Sequence, residues 1–410
     1  MDGTELGSED FNQKHAFIIK LAMVAYGYGV SLPRLEAVLN RLATAFDFKI
    51  NTMSNGKIAQ FIFWHESGEQ EYSYFERLPA VNPNLSKLVL LENLAVGIEK
   101  GKIKPEAGLV QLAEIEKKPV NYGTLINFLA FGLIGAGVAI IFSSPWIDVI
   151  LGGLLGVLAY GIVLVASKKM WSARTIEFLI AFVGAFIAVG LASLFPGSSP
   201  GVLVLCAIAV FIPGFTLTSG LAELFLHYTV SGINRMVDGV IITGVLIAGV
   251  VIGAALSNLF WAIPTPVGPV TIMPLVFWGF MVLFFLAIGL FFQADRMDLI
   301  WIILVGLLTF AAMNLGGQLG FWQGPFLGAL VIGVCGNVFS RLRKLPSTII
   351  MLPTIMALVP GTLALIGVFP ITGIDLEAVL ITAWQVFATF VAIFLGIIVA
   401  NIIVKPKLTF

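Results

Sequence analysis

The chain has 410 residues, 59% of them hydrophobic and only 11% charged, where an ordinary soluble domain carries about 25% charged residues. With a mean hydropathy of +1.00, lipid is the expected solvent for most of it. The 23 basic and 23 acidic residues cancel, which gives no reason to expect a nucleic-acid partner, and two isolated cysteines, Cys206 and Cys335, make neither a disulfide framework nor a zinc site.

The polar, acidic start MDGTELGSED does not read as a cleavable signal peptide. Residues 1–120 read as a small α+β domain holding 13 of the 23 Lys and Arg residues. Helices are expected over 16–29 and 32–46, the second with Leu35, Val38, Leu39 and Leu42 at helical spacing. Three strand-like runs follow, FKINTM, IAQFIFW and EYSYFERL. Ser54-Asn55-Gly56 joins the first two as a hairpin turn, and Glu66-Ser67-Gly68-Glu69 joins the next two. Helices are expected again over about 84–100 and 105–116.

After Asn121 the pattern changes to ten apolar segments, at about 124–142, 146–166, 175–195, 201–217, 238–261, 274–293, 298–316, 322–340, 347–368 and 377–404. Most reach the roughly 20 residues that span a hydrocarbon core; 201–217 is marginal. Past residue 120, the basic residues Lys168, Lys169, Arg174, Arg235, Arg296, Arg341, Arg343, Lys344, Lys405 and Lys407 all fall in alternate loops or the C-terminal tail. The loops 143–145, 196–200, 262–273, 317–321 and 369–376 hold none. This is the asymmetry expected when basic loops stay inside. It predicts a multi-pass protein of the cell (inner) membrane with both termini cytoplasmic and an even number of spans.

The apolar part carries an internal repeat. FLIAFV at 178–183 resembles FLGALV at 326–331, and FIPG at 211–214 resembles ALVPG at 357–361. Each unit would hold five helices, residues 121–261 and 262–410. Five is odd, so the second unit would cross in the opposite sense, as in many secondary transporters. The fold class expected is therefore a membrane all-α protein of about ten transmembrane helices, as two inverted five-helix repeats behind the α+β domain.

Pro213-Gly214 and Pro360-Gly361 interrupt apolar segments at matching places. Proline removes a backbone donor and frees a carbonyl one turn earlier. In lipid such groups need protein or a water-filled cavity around them, and paired helix breaks are the best sequence pointer to a transporter binding site. The stretch after the first break is polar for its place: Thr216, Thr218, Ser219, Glu223, His227, Ser231, Arg235 and Asp238. Glu223 reads either as an intramembrane acid, a functional candidate by default, or as a solvated residue on an amphipathic connecting helix. His227 has a side chain suited to proton transfer. Arg235 and Asp238, three apart, could pair on one helical face.

No Walker A sequence, zinc-type His/Glu pattern or partnered cysteine nucleophile occurs. No enzyme activity, metal or cofactor is therefore expected, and an ion gradient is the expected energy source. In the N-terminal domain His15, His65 and Glu66 are the only suggestive residues, and they form no recognised triad.

At these residues the sequence resembles the threonine/serine exporter family. The N-terminal pattern is Gly27, Gly29, Ser31, Arg34 and Glu36, followed by the stretch from Asn84 to Gly123. The region PG-x-x-LT-x(4)-EL-x(6)-SG-x-x-R is matched by Pro213, Gly214, Leu217, Thr218, Glu223, Leu224, Ser231, Gly232 and Arg235, and the second PG stands in TIMALVPGTLAL. The resemblance runs from about residue 16 to 403 and implies proton-driven export of threonine and serine. On that reading the partners are a lipid bilayer, a small amino acid and protons, and the fold admits a homo-oligomer. Pro213, Gly214, Thr216, Thr218, Pro360 and Gly361 would contact substrate, and Glu223, His227 and Asp238 would couple to protons. The rival readings are a channel or carrier for another small metabolite, or a membrane-anchored sensor or enzyme using the N-terminal domain.

Overall fold

The computed structural model describes residues 3–65, 71–262, 268–358 and 376–406. The N-terminal layer contains α1 (Gly3–Gly27), α2 (Leu32–Ala45), β1 (Phe48–Ser54), β2 (Ile58–His65), β3 (Glu71–Arg77), α3 (Leu85–Glu99) and α4 (Pro105–Lys117). The strands form one antiparallel sheet in the order β1-β2-β3, with Phe48 opposite His65 and Ile58 opposite Arg77. The first turn forms where expected. Asn55 Oδ1 accepts the N–H groups of Lys57 (3.0 Å) and Ile58 (2.8 Å), and Gly56 takes a φ of +81° that side chains rarely adopt. Glu66 and the second turn lie outside the described residues.

Alternation puts Phe48, Ile50, Phe61 and Phe63 on one face of the sheet, where they meet Leu35, Val38, Leu39 and Leu42 of α2 and Phe17, Ile18 and Leu21 of α1. His15 belongs to this core. Its ring stacks on Phe63 with centroids 4.0 Å apart and meets Phe48 edge-on. Burial lowers its pKa to about 4.

The apolar part follows as α5 (Thr124–Ile141), α6 (Trp146–Lys168), α7 (Ala173–Leu194), α8 (Pro200–Ile208), α9 (Gly214–Phe225), α10 (Thr229–Ser257), α11 (Pro274–Phe291), α12 (Arg296–Gly317), α13 (Gln323–Arg343), α14 (Thr348–Leu358) and α15 (Leu376–Ile403). Among the described residues, eight helices are long and apolar enough to cross a membrane. A ninth span arises if the bent pair Pro200–Phe211 and Gly214–Phe225 counts as one. That pair replaces the marginal segment expected over 201–217. The segment expected over 347–368 begins as α14 and continues into residues outside the description, as do Pro360 and Gly361. α10 starts nine residues before the expected 238, because the polar stretch from Thr229 is helical too.

Glycines set the closest helix crossings. A Cβ on Gly249 of α10 would lie 2.8 Å from the Phe178 carbonyl oxygen and 2.7 Å from Ala181 Cβ of α7. A Cβ on Gly396 of α15 would lie 2.5 Å from the Phe326 carbonyl oxygen and 2.8 Å from Ala329 Cβ of α13. Small residues at such crossings let backbones approach where lipid supplies no hydrophobic drive for association.

The N-terminal layer rests on three loops of the apolar part. Leu85 N–H donates to the Phe292 carbonyl (3.0 Å) and Ser86 N–H to that of Gln293 (3.3 Å). Arg34 Nη1 donates to Thr348 Oγ1 (2.6 Å) and Nη2 lies 3.2 Å from the Met351 sulfur. Tyr228 hydroxyl donates to the Glu36 carboxylate, and the Asn234 amide to the Asn55 carbonyl. All three loops belong to the basic set.

Candidate functional site

The site grows from the break between α8 and α9. α8 tightens into a single 3₁₀ turn, Ala209–Phe211, and then stops. Pro213 has no N–H to continue the ladder. Gly214 N–H turns back to the Ile212 carbonyl at 2.8 Å, and α9 leaves at 56° to the preceding axis. Pro213, Gly214 and Thr218 are buried and Thr216 is half-buried. Thr218 hydroxyl donates to the Gly214 carbonyl at 2.8 Å, so its proton serves the helix and only its lone pairs remain for a ligand.

α9 carries Leu217 and Leu221 against Ile355 and Leu358 of α14 and Ile393 and Phe394 of α15. The broken element of the first half thus packs on the helix that runs toward Pro360-Gly361.

About 14 Å of helix separates Gly214 from Glu223. Here the sequence motif acquires a geometry. α9 and α10 form a hairpin through Leu226-His227-Tyr228, with His227 at a left-handed φ of 65°. The two helices cross on glycines: a Cβ on Gly220 would lie 3.1 Å from the Gly232 carbonyl oxygen, and one on Gly232 would lie 2.8 Å from that of Gly220. This approach brings Ser231 and Arg235 of α10 onto Glu223 of α9. Ser231 hydroxyl donates to Glu223 Oε2 at 2.7 Å, and Arg235 Nε lies 3.0 Å from Oε1. The Nε–H is not aimed at that oxygen, so this contact is an ion pair and not a hydrogen bond. Glu223 is 1% exposed and the Arg235 side chain 11%. The guanidinium carbon lies 5.4 Å from the centre of the Tyr26 ring, a cation–π contact supplied by the N-terminal layer.

The reading of Glu223 as a solvated residue is therefore not what the structure has. The expected Arg235–Asp238 pair is also absent. Arg235 turns inward to Glu223, while Asp238 is more than half exposed and pairs with Arg174 of α7, which also holds Glu177 at 3.0 Å. His227 is exposed on the hairpin. The structure thus brings Glu223, Ser231, Arg235 and Tyr26 together and leaves His227 and Asp238 on the rim. Tyr26 carries no sequence signal that would mark it, whereas Ser231 and Arg235 stand in the spaced motif. Asp148 and Asp298, both buried, escaped notice although each is an acid inside an apolar run, WIDVIL and RMDLIW. Among the described residues no cluster of His, Cys, Asp and Glu could hold a metal ion. A groove between α3 and α4, lined by Leu90, Gln111 and Lys118 among others, includes none of these residues.

Two family profiles match the chain. A threonine/serine exporter profile covers residues 16–257, and a second, described as "Threonine/Serine exporter, ThrE", covers residues 278–403. A Debaryomyces hansenii protein named pheromone-regulated membrane protein 10 is 26% identical over 295 residues, 68% of this chain and 29% of its own length. Its namesake from Eremothecium gossypii is 25% identical over 371 residues, 87% of this chain and 49% of that protein. A Corynebacterium glutamicum threonine/serine exporter is 23% identical over 189 residues, 45% of this chain and 39% of that one. The chain thus spans less than half the length of each of these relatives. No solved structure matches. The first profile runs through the broken helix and the Glu223–Arg235 hairpin and alone matches more than half of the sequence, and the chain belongs to the threonine/serine exporter family.

Proposed function

We propose that the protein is a proton-coupled secondary exporter of small neutral amino acids, L-threonine and L-serine first among them. The observation that carries this reading is the broken span α8–α9, followed within one helix by a buried Glu223–Ser231–Arg235 cluster, in a chain of this family. An amino-acid zwitterion needs donors for its carboxylate and acceptors for its ammonium group. A helix break supplies both, through free N–H groups at the start of one helix and free carbonyls at the end of the other. Pro213, Gly214, Thr216 and Thr218 would form one side of the site, and Pro360 and Gly361 the other. Glu223, buried beside a cation it can exchange for a substrate ammonium or a proton, is the coupling residue; His227 and Asp238 would relay protons at the rim.

The proposal includes ten spans as two inverted five-helix repeats over residues 121–261 and 262–410, behind a domain of residues 1–120, in the cell membrane with both termini cytoplasmic. The matched crossings at Gly249 and Gly396 support the repeat. The N-terminal layer's contacts with basic loops support the sidedness.

The test is uptake of labelled L-threonine and L-serine into proteoliposomes with and without an imposed pH gradient. The expected result is gradient-dependent accumulation abolished by a protonophore, with trans-stimulation by unlabelled substrate. Flux without trans-stimulation would make the protein a channel. No flux from folded protein would remove the substrate assignment. Glu223→Gln should abolish the dependence on the pH gradient; a variant with unchanged transport and pH profile would remove Glu223 from the coupling.

A further inference from the structure

Two carboxylates outside this site occupy equivalent places in the two groups of five helices. Asp148 stands in the first turn of α6, and Asp298, 150 positions later, in the first turn of α12; they are 0% and 3% exposed. The turn that precedes each acid repeats bond for bond. Phe142 and Phe292 close the preceding helices with N–H bonds to the carbonyls of Val138 (3.2 Å) and Ile288 (3.0 Å). Ser143 and Gln293 then take left-handed φ values of 51° and 58°. The N–H groups of Ser144 and Ala294 reach back to Ala139 and Gly289, both at 3.0 Å. A second pair matches as well. Ser199 opens α8, its carbonyl accepting from Leu203 N–H at 3.1 Å; Ser347, 148 positions later, opens α14 and accepts from Met351 N–H at 3.0 Å.

The two halves differ in what the carboxylate holds. Asp148 accepts the Ser199 N–H at both oxygens, 3.1 and 3.3 Å, and so ties the start of the broken helix to α6. Among the described residues, Asp298 Oδ1 is buried and has no hydrogen-bond partner. The equivalent bond from Ser347 is not made, and the charged groups facing Asp298 are Asp295 and Arg343. A buried acceptor without a donor is costly, and the Ser347 N–H is the donor at the matching position.

We infer that Asp148 and Asp298 are alternating latches, each holding the first turn of the interrupted helix in its own half when its side of the protein is shut. The inference rests on the inverted-repeat carrier proposed above. Inversion puts the Asp148–Ser199 latch at the outer face and the Asp298–Ser347 latch at the inner one. The state described here has the outer latch engaged and the inner latch released. Both acids are positioning residues: they act on helix position through a backbone N–H and touch no substrate.

Single-cysteine reporters S199C and S347C, in full-length protein with Cys206 and Cys335 replaced, test this by labelling with a membrane-impermeant maleimide in right-side-out and inside-out vesicles. D148A should raise S199C labelling at least threefold and slow that of S347C. D298A should do the opposite to S199C, lowering its labelling at least threefold by removing the latch of the outward-open state, and leave S347C within twofold. D148N and D298N keep an acceptor oxygen and should each stay within twofold of the parent. Equal-sign changes from the two alanine variants, or asparagine variants that behave like alanine, would overturn the proposal. Should D148A fail to fold, the D298A–D298N comparison decides alone. Labelling needs no substrate, so opposite-sign changes in a protein that moves neither threonine nor serine would sustain the latches and remove only the substrate reading.

Discussion

Glu223 and Arg235 give the sharpest energetic prediction, because among the described residues each is the other's only close counter-charge in a buried place. Glu223→Gln keeps the side chain's shape and an oxygen for the Ser231 hydroxyl, but it leaves the guanidinium without its anion. Breaking a buried ion pair from one side costs about 3–5 kcal/mol. The Tyr26 ring still faces the cation, worth about 0.5–2 kcal/mol, so the loss should fall toward about 3 kcal/mol. Arg235→Gln should cost about the same, leaving a buried carboxylate with one hydroxyl donor. The double variant removes both charges and with them the reason for most of either loss. Its loss should therefore be no greater than that of either single variant, a coupling of about 3 kcal/mol or more against the additive sum. Denaturation in detergent, followed by intrinsic fluorescence across the four proteins, measures this. Additivity within about 0.5 kcal/mol would mean that the 3.0 Å contact contributes nothing and would refute the reasoning.

His15 predicts a pH dependence in the N-terminal layer. Its pKa falls from about 6.5 unfolded to about 4 folded, so between these values the unfolded chain binds the extra proton. Stability is then full above pH 6.5 and declines as pH falls toward 4, at no more than about 1.4 kcal/mol per pH unit; His15→Phe should flatten that slope in a melting series. Gly396→Ala and Gly249→Ala should each cost about 1–3 kcal/mol, since the added Cβ meets backbone oxygen at 2.5 and 2.8 Å. Gly279→Ala, with nothing within 4 Å, should be neutral or gain up to about 1 kcal/mol, and melting temperatures of the three variants rank them. Arg34 carries its charge between a hydroxyl and a thioether, and burial lowers its pKa to about 10. Arg34→Met should hold stability within about 1 kcal/mol or raise it; a fall above about 2 kcal/mol would show that the cation has a partner of greater weight.

Much of the fold was legible because lipid enforces a simple pattern. Runs of apolar residues between alternately basic and neutral loops read directly as helices, and α5, α6, α7, α11, α12 and α13 begin and end within a few residues of their expected limits. The sheet was legible for a different reason, strict alternation around an Asn-Gly turn. The hairpin of α9 and α10 was not. Its residues around the turn mix polar and apolar side chains, and nothing local reveals that Gly220 and Gly232 let two helices close over Glu223 and Ser231. The same packing took Arg235 away from Asp238, which a three-residue spacing alone made its natural partner. Asp148 and Asp298 were hidden by their position at helix starts, where an acid is ordinary because it favours the positive end of the helix dipole; only burial and the repeated turn before each acid distinguish them.

The N-terminal layer is attached unequally to the two halves of the apolar part, and this bears on any motion between them. Toward the turn between α11 and α12 the attachment is through backbone groups: Leu85 and Ser86 N–H donate to the Phe292 and Gln293 carbonyls at 3.0 and 3.3 Å. Toward the α9–α10 hairpin each contact involves a side chain: Tyr228 hydroxyl with Glu36, the Asn234 amide with the Asn55 carbonyl, and Tyr26 with Arg235. Backbone bonds to a rigid turn resist displacement more than side-chain bonds, whose partners can exchange for water at small net cost. If the halves rock against each other, the layer should travel with the α11–α12 turn that leads into Asp298 and slide over the hairpin that carries Glu223. Tyr26 would then meet Arg235 in one state and withdraw from it in the other. The guanidinium, still fixed to Glu223, would lose its aromatic cover as the inner face opens or shuts, which links the fused layer to the buried ion pair through one ring.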